Sequence, residues 1–269
     1  MNVPSDEKRP LPGADLSIQK MPGHWLLARF GKRVLRPGGL ELTRRLLGGL
    51  EIQSDDDVVE LAPGLGVTAQ EILARRPQSY RGVERNEEAA AMARDSVGER
   101  GEIVVGNAES TGLSDGSASV VIGEAMLTMQ SLSHKEAIVK EAMRLLRPGG
   151  RYGVHEIAVV GSGDPKEMEK EIASALSSSI HVGARPLSEA SWREVFEKSG
   201  FVDVKVEYAP MHLLEARRMI ADEGLGRAVM IAGRILLNPD ARSRVLDMRR
   251  TFRKFGQSMQ AIAITARKP

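Results

Sequence analysis

Short apolar runs alternate with helical stretches between residues 57 and 160, and this alternation constrains the fold more than any other feature of the chain. Apolar runs occur at 58–61, 80–83, 103–105, 120–122 and 152–160, with helical patterns between them at 68–75, 87–97 and 134–146. Continuous apolar runs suit strands that are buried on both faces, and helical crossovers join parallel strands. The pattern therefore predicts a doubly wound α/β fold around a mostly parallel sheet.

The remaining segments are interpreted as additions to this core. Residues 1–20 are polar and rich in turn formers, which predicts a flexible tail. We assign 21–269 to a single domain, with its core in 55–160, 187–212 and a last strand at 259–267, and with helical segments added at 21–50, 161–186 and 213–256.

The composition excludes several kinds of site. The 269 residues include no cysteine, which excludes disulfides, Cys-ligated zinc, iron–sulfur clusters and a thiol nucleophile. The 38 Lys and Arg residues nearly balance the 36 Asp and Glu residues, so the charge gives no reason to expect nucleic acid as an obligatory partner. The sequence shows no cluster of metal ligands, and it leaves the oligomeric state open, with a dimer as one possibility.

Two features of the sequence bear on where the protein works. The first twenty residues lack an apolar signal core, and the apolar segment at 229–237 is interrupted by Arg234 and is too short to span a bilayer. We therefore expect no integral membrane segment and predict a cytoplasmic location.

A glycine-containing turn follows the first apolar run. The run 57–61 leads into a turn with Gly64 and Gly66, and Ala62 stands where a first glycine would be. Such a turn lets a ligand approach the backbone, and the helix that follows offers free N–H groups. Glu84 ends the next apolar run about twenty residues later, where a carboxylate can accept hydrogen bonds from ribose hydroxyls. The spacing predicts a nucleotide-like ligand.

Five blocks of sequence resemble, in the same order, the motifs of the class I (Rossmann-like) S-adenosylmethionine (SAM)-dependent methyltransferases. They are Glu60-Leu-Ala-Pro-Gly-Leu-Gly, Glu84, Gly106-Asn-Ala-Glu, the strand at 119–125, and Leu145-Leu-Arg-Pro-Gly-Gly-Arg. Together they cover roughly 55–160, and the likeness is greatest to the branch that acts on small molecules and quinones. The resemblance implies a seven-stranded sheet, SAM as cofactor with S-adenosylhomocysteine as its product, and a small-molecule acceptor.

The resemblance also implies roles for individual residues. Glu60 would lie near the ammonium group of SAM, Ala62, Gly64 and Gly66 would leave room for it, and Glu84 would hold the ribose. Ala108 would offer its backbone N–H to the adenine ring, and Asn107, in place of the usual Asp, would contact the adenine amino group. Arg85 either stacks on the adenine or points to solvent. Glu124 would line the pocket shared by cofactor and substrate.

Methyl transfer from a sulfonium is an in-line displacement, so a dedicated base is optional. If the acceptor loses a proton, the candidates for a catalytic group are Glu124, Glu156 and His181. His155 is either buried in the sheet or turned toward the cleft. In this family the added segments select the acceptor, so His24, Trp25 and Arg29 are candidates on the substrate side.

Two other functions share parts of this pattern. A non-catalytic subunit could keep the fold and the cofactor site without methylating anything. An NAD(P)-dependent oxidoreductase shares the turn and the ribose acid, but 62–67 departs from the GxGxxG pattern of that class. The acceptor, and whether O, N, C or S is methylated, stay open.

Overall fold

The computed structural model describes residues 11–269 and is built around one twisted sheet. Its strands are β1 Asp57–Leu61, β2 Ser79–Glu84, β3 Glu102–Val105, β4 Ala118–Glu124, β5 Leu146–Val159, β6 Leu187–Ser188, β7 Val202–Pro210 and β8 Met259–Arg267. Seven of them follow the order β3-β2-β1-β4-β5-β8-β7, and the two-residue β6 pairs with β5. The pairs from β3 through β5 are parallel, whereas β8 runs antiparallel to both β5 and β7. The predicted doubly wound, mostly parallel sheet is confirmed.

Ten α-helices lie within the described residues 11–269 and surround the sheet. They are α1 Gly23–Arg29, α2 Gly39–Gly49, α3 Val67–Leu73, α4 Glu87–Val97, α5 Leu132–Leu145, α6 Pro165–Ile180, α7 Glu189–Lys198, α8 Ala216–Glu223, α9 Leu225–Leu236 and α10 Pro239–Lys254. Within that part of the chain, no helix is both long and apolar enough to cross a membrane.

Each central strand buries side chains on both faces of the sheet. Val58 and Val120 pack with helices α2, α3 and α4 on one face. Val59 and Val121 pack with α5 and α7 on the other face. Neighbouring residues of a strand point to opposite faces, so a strand covered on both sides must be apolar throughout. This is why the runs detected in the sequence are continuous rather than alternating.

Several helices begin at residues whose side chains satisfy free backbone N–H groups. Asn86 accepts from the N–H of Ala89 at the start of α4, and Ser188 accepts from the N–H of Ser191 at the start of α7. Such caps stabilise a helix start by about 1 kcal/mol. Two residues, Arg85 and Asn86, separate the end of β2 from the start of α4, and Glu84 lies at the edge of the sheet.

Helices α1, α6, α8, α9 and α10, together with the loop at 30–38, form a second layer that we call the lid. Its apolar contacts join Leu26 and Leu27 of α1 to Met248 of α10. Arg244 of α10 donates hydrogen bonds to the carbonyls of Ile18, Gln19 and Met21, so the chain at 18–21 contacts the lid. The division into tail, core and lid segments stays a prediction, and residues 1–10 of the predicted tail lie outside the described residues.

Two acidic residues at the end of α8 hold the loop that precedes α2. Glu223 accepts from the backbone N–H groups of Arg33 and Val34, and Asp222 accepts from that of Leu40. Both carboxylates are buried, and Lys32 lies 3.7 Å from Asp222. The loop therefore has a defined position above the sheet, which matters because it carries residues of the site.

Candidate cofactor and acceptor site

A cavity of about 480 Å³ opens at the carboxyl ends of β1, β2 and β4. This is the edge at which ligands bind in open α/β sheets. Ten predicted site residues line it: Glu60, Ala62, Gly64, Glu84, Arg85, Asn107, Ala108, Glu124, His24 and Trp25. Four others do not line it, namely Gly66, Arg29, Glu156 and His181.

The turn after β1 places Gly64 and Gly66 in different surroundings. Both have left-handed φ angles, of 55° and 73°. A Cβ on Gly64 would meet nothing within 4 Å, whereas one on Gly66 would lie 2.5 Å from the Cβ of Ser96 in α4. Gly64 therefore borders open space on the cavity wall. Gly66 does not line the cavity. Its lack of a side chain instead permits close packing of α3 on α4, which differs from the reason predicted for this glycine.

Glu84 is tied to the turn by two backbone hydrogen bonds. Its Oε2 accepts from the N–H of Gly64 at 3.1 Å, and its Oε1 accepts from the N–H of Asn86 at 3.0 Å. Each carboxylate oxygen can accept more than one hydrogen bond, so both keep capacity for a ligand. The side chain is buried but borders the cavity.

Glu60 is a buried acid near the end of β1. The Tyr80 hydroxyl donates to Glu60 Oε2 at 2.6 Å. Burial raises the pKa of Glu60 to about 8, with the Tyr80 hydrogen bond acting in the opposite direction. At neutral pH the free protein therefore holds this carboxyl mostly protonated, and a cationic ligand group beside it would favour its ionisation.

Glu124 is the centre of a buried network that links β4 to the lid. Its Oε2 accepts from Arg36 and Thr68, and its Oε1 accepts from the Thr43 hydroxyl at 2.7 Å. Burial raises the pKa of Glu124, but the charge of Arg36 and the bonds from His155 and Thr68 outweigh burial and hold it well below its ordinary value. Glu124 is thus an ionised carboxylate with its oxygens already engaged.

His155 is fully buried and completes that network. The N–H of Gly38 donates to His155 Nε2 at 2.9 Å, so Nε2 is unprotonated and Nδ1 carries the proton that it donates to Glu124 at 2.8 Å. The structure therefore shows His155 buried in the sheet and not turned toward the cleft. Sequence reasoning missed Arg36, Thr43 and Thr68, because a turn arginine and two helix threonines have no local pattern that points to a site.

Glu156 and His181 have surroundings unlike those expected for a proton acceptor. Glu156 accepts from the backbone N–H groups of Met126, Leu127 and Thr128 at 2.7–3.0 Å, so it holds the loop after β4. His181 is exposed and ends α6 with a left-handed φ of 54°. Arg29 is exposed as well. The geometry gives no support to a catalytic Glu156 or His181, or to a substrate contact by Arg29.

Comparison with known proteins bears on the kind of site this is. Residues 59–154 match the family model described as a methyltransferase domain. An uncharacterised protein of Haemophilus influenzae is 31% identical over 251 residues, which is 91% of this chain and 98% of that protein. The chain belongs to the class I SAM-dependent methyltransferases.

Solved structures of low sequence identity share the fold of this methyltransferase. The phosphoethanolamine N-methyltransferase 2 of Haemonchus contortus, in complex with phosphomonomethylethanolamine and S-adenosylhomocysteine, has a TM-score of 0.72 at 15% identity, over 95% of this chain and 61% of its own. Geranyl diphosphate methyltransferase in complex with SAM has a TM-score of 0.61 at 16% identity, over 85% of each chain. The [4+2]-cyclase SpnF has a TM-score of 0.64 at 19% identity, over 85% of this chain and 81% of its own.

The residues around the cavity at the strand ends of the methyltransferase, which we call the larger cavity, fit SAM, which is its cofactor. Glu60 is a buried acid on the cavity wall, Gly64 leaves open space above the turn, and Glu84 presents oxygens that can accept further hydrogen bonds. A ligand with an ammonium group and a ribose meets matching groups at each of these positions.

A second, smaller cavity of about 60 Å³ adjoins the first. The two cavities share His24, Leu35, Ala125 and Met129 as lining residues. The wall of the smaller one is mostly apolar and comes largely from the lid, including Leu27, Leu176, Ile180, Met248 and Phe252. Among the described residues that line it, Glu156 is the one acid, and its carboxylate is already bonded to backbone N–H groups.

His24 lies where the two cavities meet. Burial lowers the pKa of His24 to about 4, so the imidazole is neutral at pH 7. Its ring lies 4.8 Å from that of Trp25, between ring centres. A neutral imidazole at this junction can accept a proton from a group that occupies the smaller cavity.

Proposed function

We propose that this methyltransferase methylates a small molecule whose reacting end is apolar and uncharged, and that this end binds in the smaller cavity. The observation that carries the proposal is the shared boundary of the two cavities at His24, Leu35 and Met129. A charged end would lose its hydration in the smaller cavity without gaining a free partner, because the one acid there is already engaged. A cytoplasmic location stays a prediction, and the methylated atom, whether O, N, C or S, stays open.

We assign the binding of SAM to residues that line the larger cavity. When bound, SAM supplies an electrophilic methyl group on a sulfonium. Glu60 would pair with the ammonium group and Glu84 would accept bonds from the ribose. Asn107 and Ala108 would contact the adenine ring, on which Arg85 would stack. Arg36, a guanidinium on the cavity wall, would in addition bind the carboxylate of SAM.

The remaining residues of the site position the acceptor and exclude water. In-line displacement needs the nucleophile, the methyl group and the sulfur in one line. The lid covers the smaller cavity with apolar side chains from α1, α6 and α10. We assign to His24 the removal of a proton from a hydroxyl or amine acceptor. Glu124 instead fixes Arg36 and His155, because an ionised carboxylate with four bonded neighbours is a weak base.

Calorimetric titration with SAM, S-adenosylhomocysteine and NADH tests the cofactor part of the proposal. We expect micromolar binding of the two sulfur ligands, no binding of NADH, and loss of SAM binding in Glu84→Ala. Glu88→Ala is the matched control, because Glu88 is exposed in α4 and does not line the cavity. Equal SAM binding by both variants would contradict the role given to Glu84.

Transfer of a labelled methyl group tests the acceptor part. A panel of phenols, amines and thiols would be offered as matched pairs that differ only in an added charge near the reacting atom. We expect turnover to favour the neutral apolar member of each pair. A preference for the charged members would overturn the apolar acceptor, and SAM binding without any turnover across the panel would favour the non-catalytic alternative.

A further inference from the structure

A groove of about 670 Å³ borders the smaller cavity. It is lined by the loop at 211–215, the start of α8 and the end of α10. Met211, Leu213 and Phe252 line both the groove and the smaller cavity. Among the residues that the structure describes, none lines both the groove and the larger cavity. The smaller cavity therefore lies between the other two spaces.

The size of the smaller cavity limits what it can hold. Its volume of about 60 Å³ is far below the roughly 300 Å³ at which small-molecule pockets begin. An acceptor of more than a few atoms must therefore extend beyond this cavity. SAM occupies the larger cavity in the proposed function, which leaves the groove as the direction in which the rest of the acceptor can lie.

The boundary between the groove and the smaller cavity is apolar. Met211 is buried there, whereas Leu213 and Phe252 are partly exposed. Side chains at a protein surface change rotamer within nanoseconds, and leucine and phenylalanine side chains have no hydrogen bonds to break when they move. An apolar part of a ligand can therefore lie along this boundary in contact with these side chains.

The charged side chains of the groove leave an excess of positive charge. The groove is lined by four arginines and two glutamates, namely Arg217, Arg218, Arg249, Arg253, Glu41 and Glu215. Arg218 pairs with Glu41 at 3.3 Å. Arg217 is exposed, and within the described part of the chain its side chain has no hydrogen bond or ion pair.

Arg249 and Arg253 share a single carboxylate. Both donate to Glu215 through Nε and Nη2, at 2.8–3.4 Å. A guanidinium has five N–H donors, and the Nη1 group of each arginine takes no part in these bonds. Two arginines against one glutamate carry a net positive charge, so both the charge and the remaining donors suit an anionic group of a ligand.

We propose that the groove is a second subsite for the acceptor and binds an anionic group, a carboxylate or a phosphate, at the end remote from the reacting atom. This inference rests on the proposed function, which puts the reacting end in the smaller cavity. The acceptor is then an elongated amphipathic molecule. Its apolar end lies in the smaller cavity, its middle contacts the apolar boundary, and its anionic end meets Arg217, Arg249 and Arg253.

Calorimetric titration in the presence of S-adenosylhomocysteine tests the subsite without requiring turnover. The probes are phenylalkanoates and phenylalkyl phosphates, compared with phenylalkanols and phenylalkylammonium ions of the same chain length. We expect the anionic probes to bind at least about tenfold more tightly than the alcohols, and the ammonium ions to bind least tightly. This preference should appear only in chains that are long enough to join a phenyl group in the smaller cavity to the groove. The more tightly bound anion identifies the group as a carboxylate or a phosphate.

The variant Arg217→Glu should remove the preference for anionic probes. Arg234→Glu is the matched control, because Arg234 is exposed in α9 of the same lid and does not line the groove. Both substituted side chains are exposed, so thermal unfolding should show both variants folded. With an acceptor that carries an anionic end, Arg217→Glu should raise KM about tenfold and leave kcat unchanged. An analogue with a neutral end should show no change in either constant.

Three results would overturn the subsite. They are equal binding of anions and alcohols, a preference that is the same at every chain length, and equal binding of the anionic probes by Arg217→Glu and Arg234→Glu. If acceptors were methylated in spite of such results, the proposed function would stand without the subsite. A preference for anions that depends on chain length, with no turnover of any acceptor, would support the groove as a ligand site and count against the proposed function alone.

Discussion

Arg36 and Glu124 form a buried ion pair between the loop that precedes α2 and the end of β4. One partner comes from the lid and the other from the sheet, 88 residues apart in sequence. Thr43, Thr68 and His155 surround the carboxylate, and the two side chains of the pair are only 7% and 6% exposed. The position of the lid over the cavity therefore depends on a charged contact rather than on apolar packing alone.

Removal of one partner of this pair should be strongly destabilising. Arg36→Ala leaves the Glu124 carboxylate buried without its cation, and breaking such pairs lowers the free energy of unfolding by about 3–5 kcal/mol. Arg44→Ala is the control, because the Arg44–Glu71 pair is mostly exposed and should contribute less than about 1 kcal/mol. Urea unfolding measures both. Similar losses in the two variants would show that the Arg36–Glu124 contact is not a main support of the lid.

SAM binding should release a proton from Glu60. Burial raises the pKa of this carboxyl to about 8 in the free protein, and a bound ammonium group would lower it. Because the bound state then holds fewer protons, SAM affinity should rise as pH increases from about 6 to about 7.5. Calorimetry in buffers with different ionisation enthalpies measures the release directly. Glu60→Gln should abolish it, and an unchanged release in this variant would assign the proton to another group.

His24 should support methyl transfer to acceptors that must lose a proton. His24→Gln should lower kcat for a phenol or amine by about 10- to 100-fold, below the usual range for a general base because the pKa of His24 is about 4. A thioether acceptor, which is neutral and has no proton to lose, should be affected much less. His134→Gln is the control, since His134 is exposed at the start of α5.

The pH profile gives a separate check on His24. Its pKa of about 4 predicts that kcat/KM has no inflection from this group between about pH 6 and 7. An inflection near the ordinary pKa of histidine that disappears in His24→Gln would contradict this. It would mean that the imidazole is more exposed to solvent than it is in the structure.

Alanine at Gly64 and alanine at Gly66 should affect different properties of the protein. Gly66→Ala adds a methyl group that collides with Ser96 at a left-handed φ, so it should lower the free energy of unfolding by about 2 kcal/mol or more. Gly64→Ala meets no atom and should cost only about 1 kcal/mol from its backbone conformation. Its methyl group faces the cavity, however, so SAM affinity should fall at least about tenfold. Thermal unfolding and calorimetry separate the two effects, and Ser96→Gly should partly restore Gly66→Ala.

Much of the fold could be predicted because its signals are local. The predicted strands at 58–61 and 120–122 lie within β1 and β4, and the predicted helix at 87–97 is α4. The β5 strand starts earlier than predicted, at Leu146, because Leu146 pairs with Ala118 and the two glycines after it exchange backbone hydrogen bonds with Lys268. An apolar run marks where a strand is buried, but not how far its backbone pairing continues.

Which residues line the cavity at the strand ends could also be predicted from the sequence, whereas the surroundings of Glu156 could not. Glu60, Gly64 and Glu84 lie at or just after the ends of predicted strands. Parallel strands bring such ends to one edge of the sheet, so the sequence predicts that these residues lie close together. Glu156 also lies in a predicted strand, but its surroundings depend on how the loop after β4 folds back over it. Nothing in the local pattern at 124–128 predicts that fold.

The sequence by itself determined the doubly wound sheet, the glycine turn and the edge of the sheet at which the cavity opens, because burial on both faces, turn geometry and strand ends are set by residues close together in the chain. Only the tertiary structure decided that Arg36 reaches Glu124, that His24 lies between two cavities, and that the smaller cavity borders a groove beside α10. These depend on how the lid packs on the sheet. Contacts between segments far apart in sequence are chosen by overall packing and charge burial, which no short stretch of sequence records.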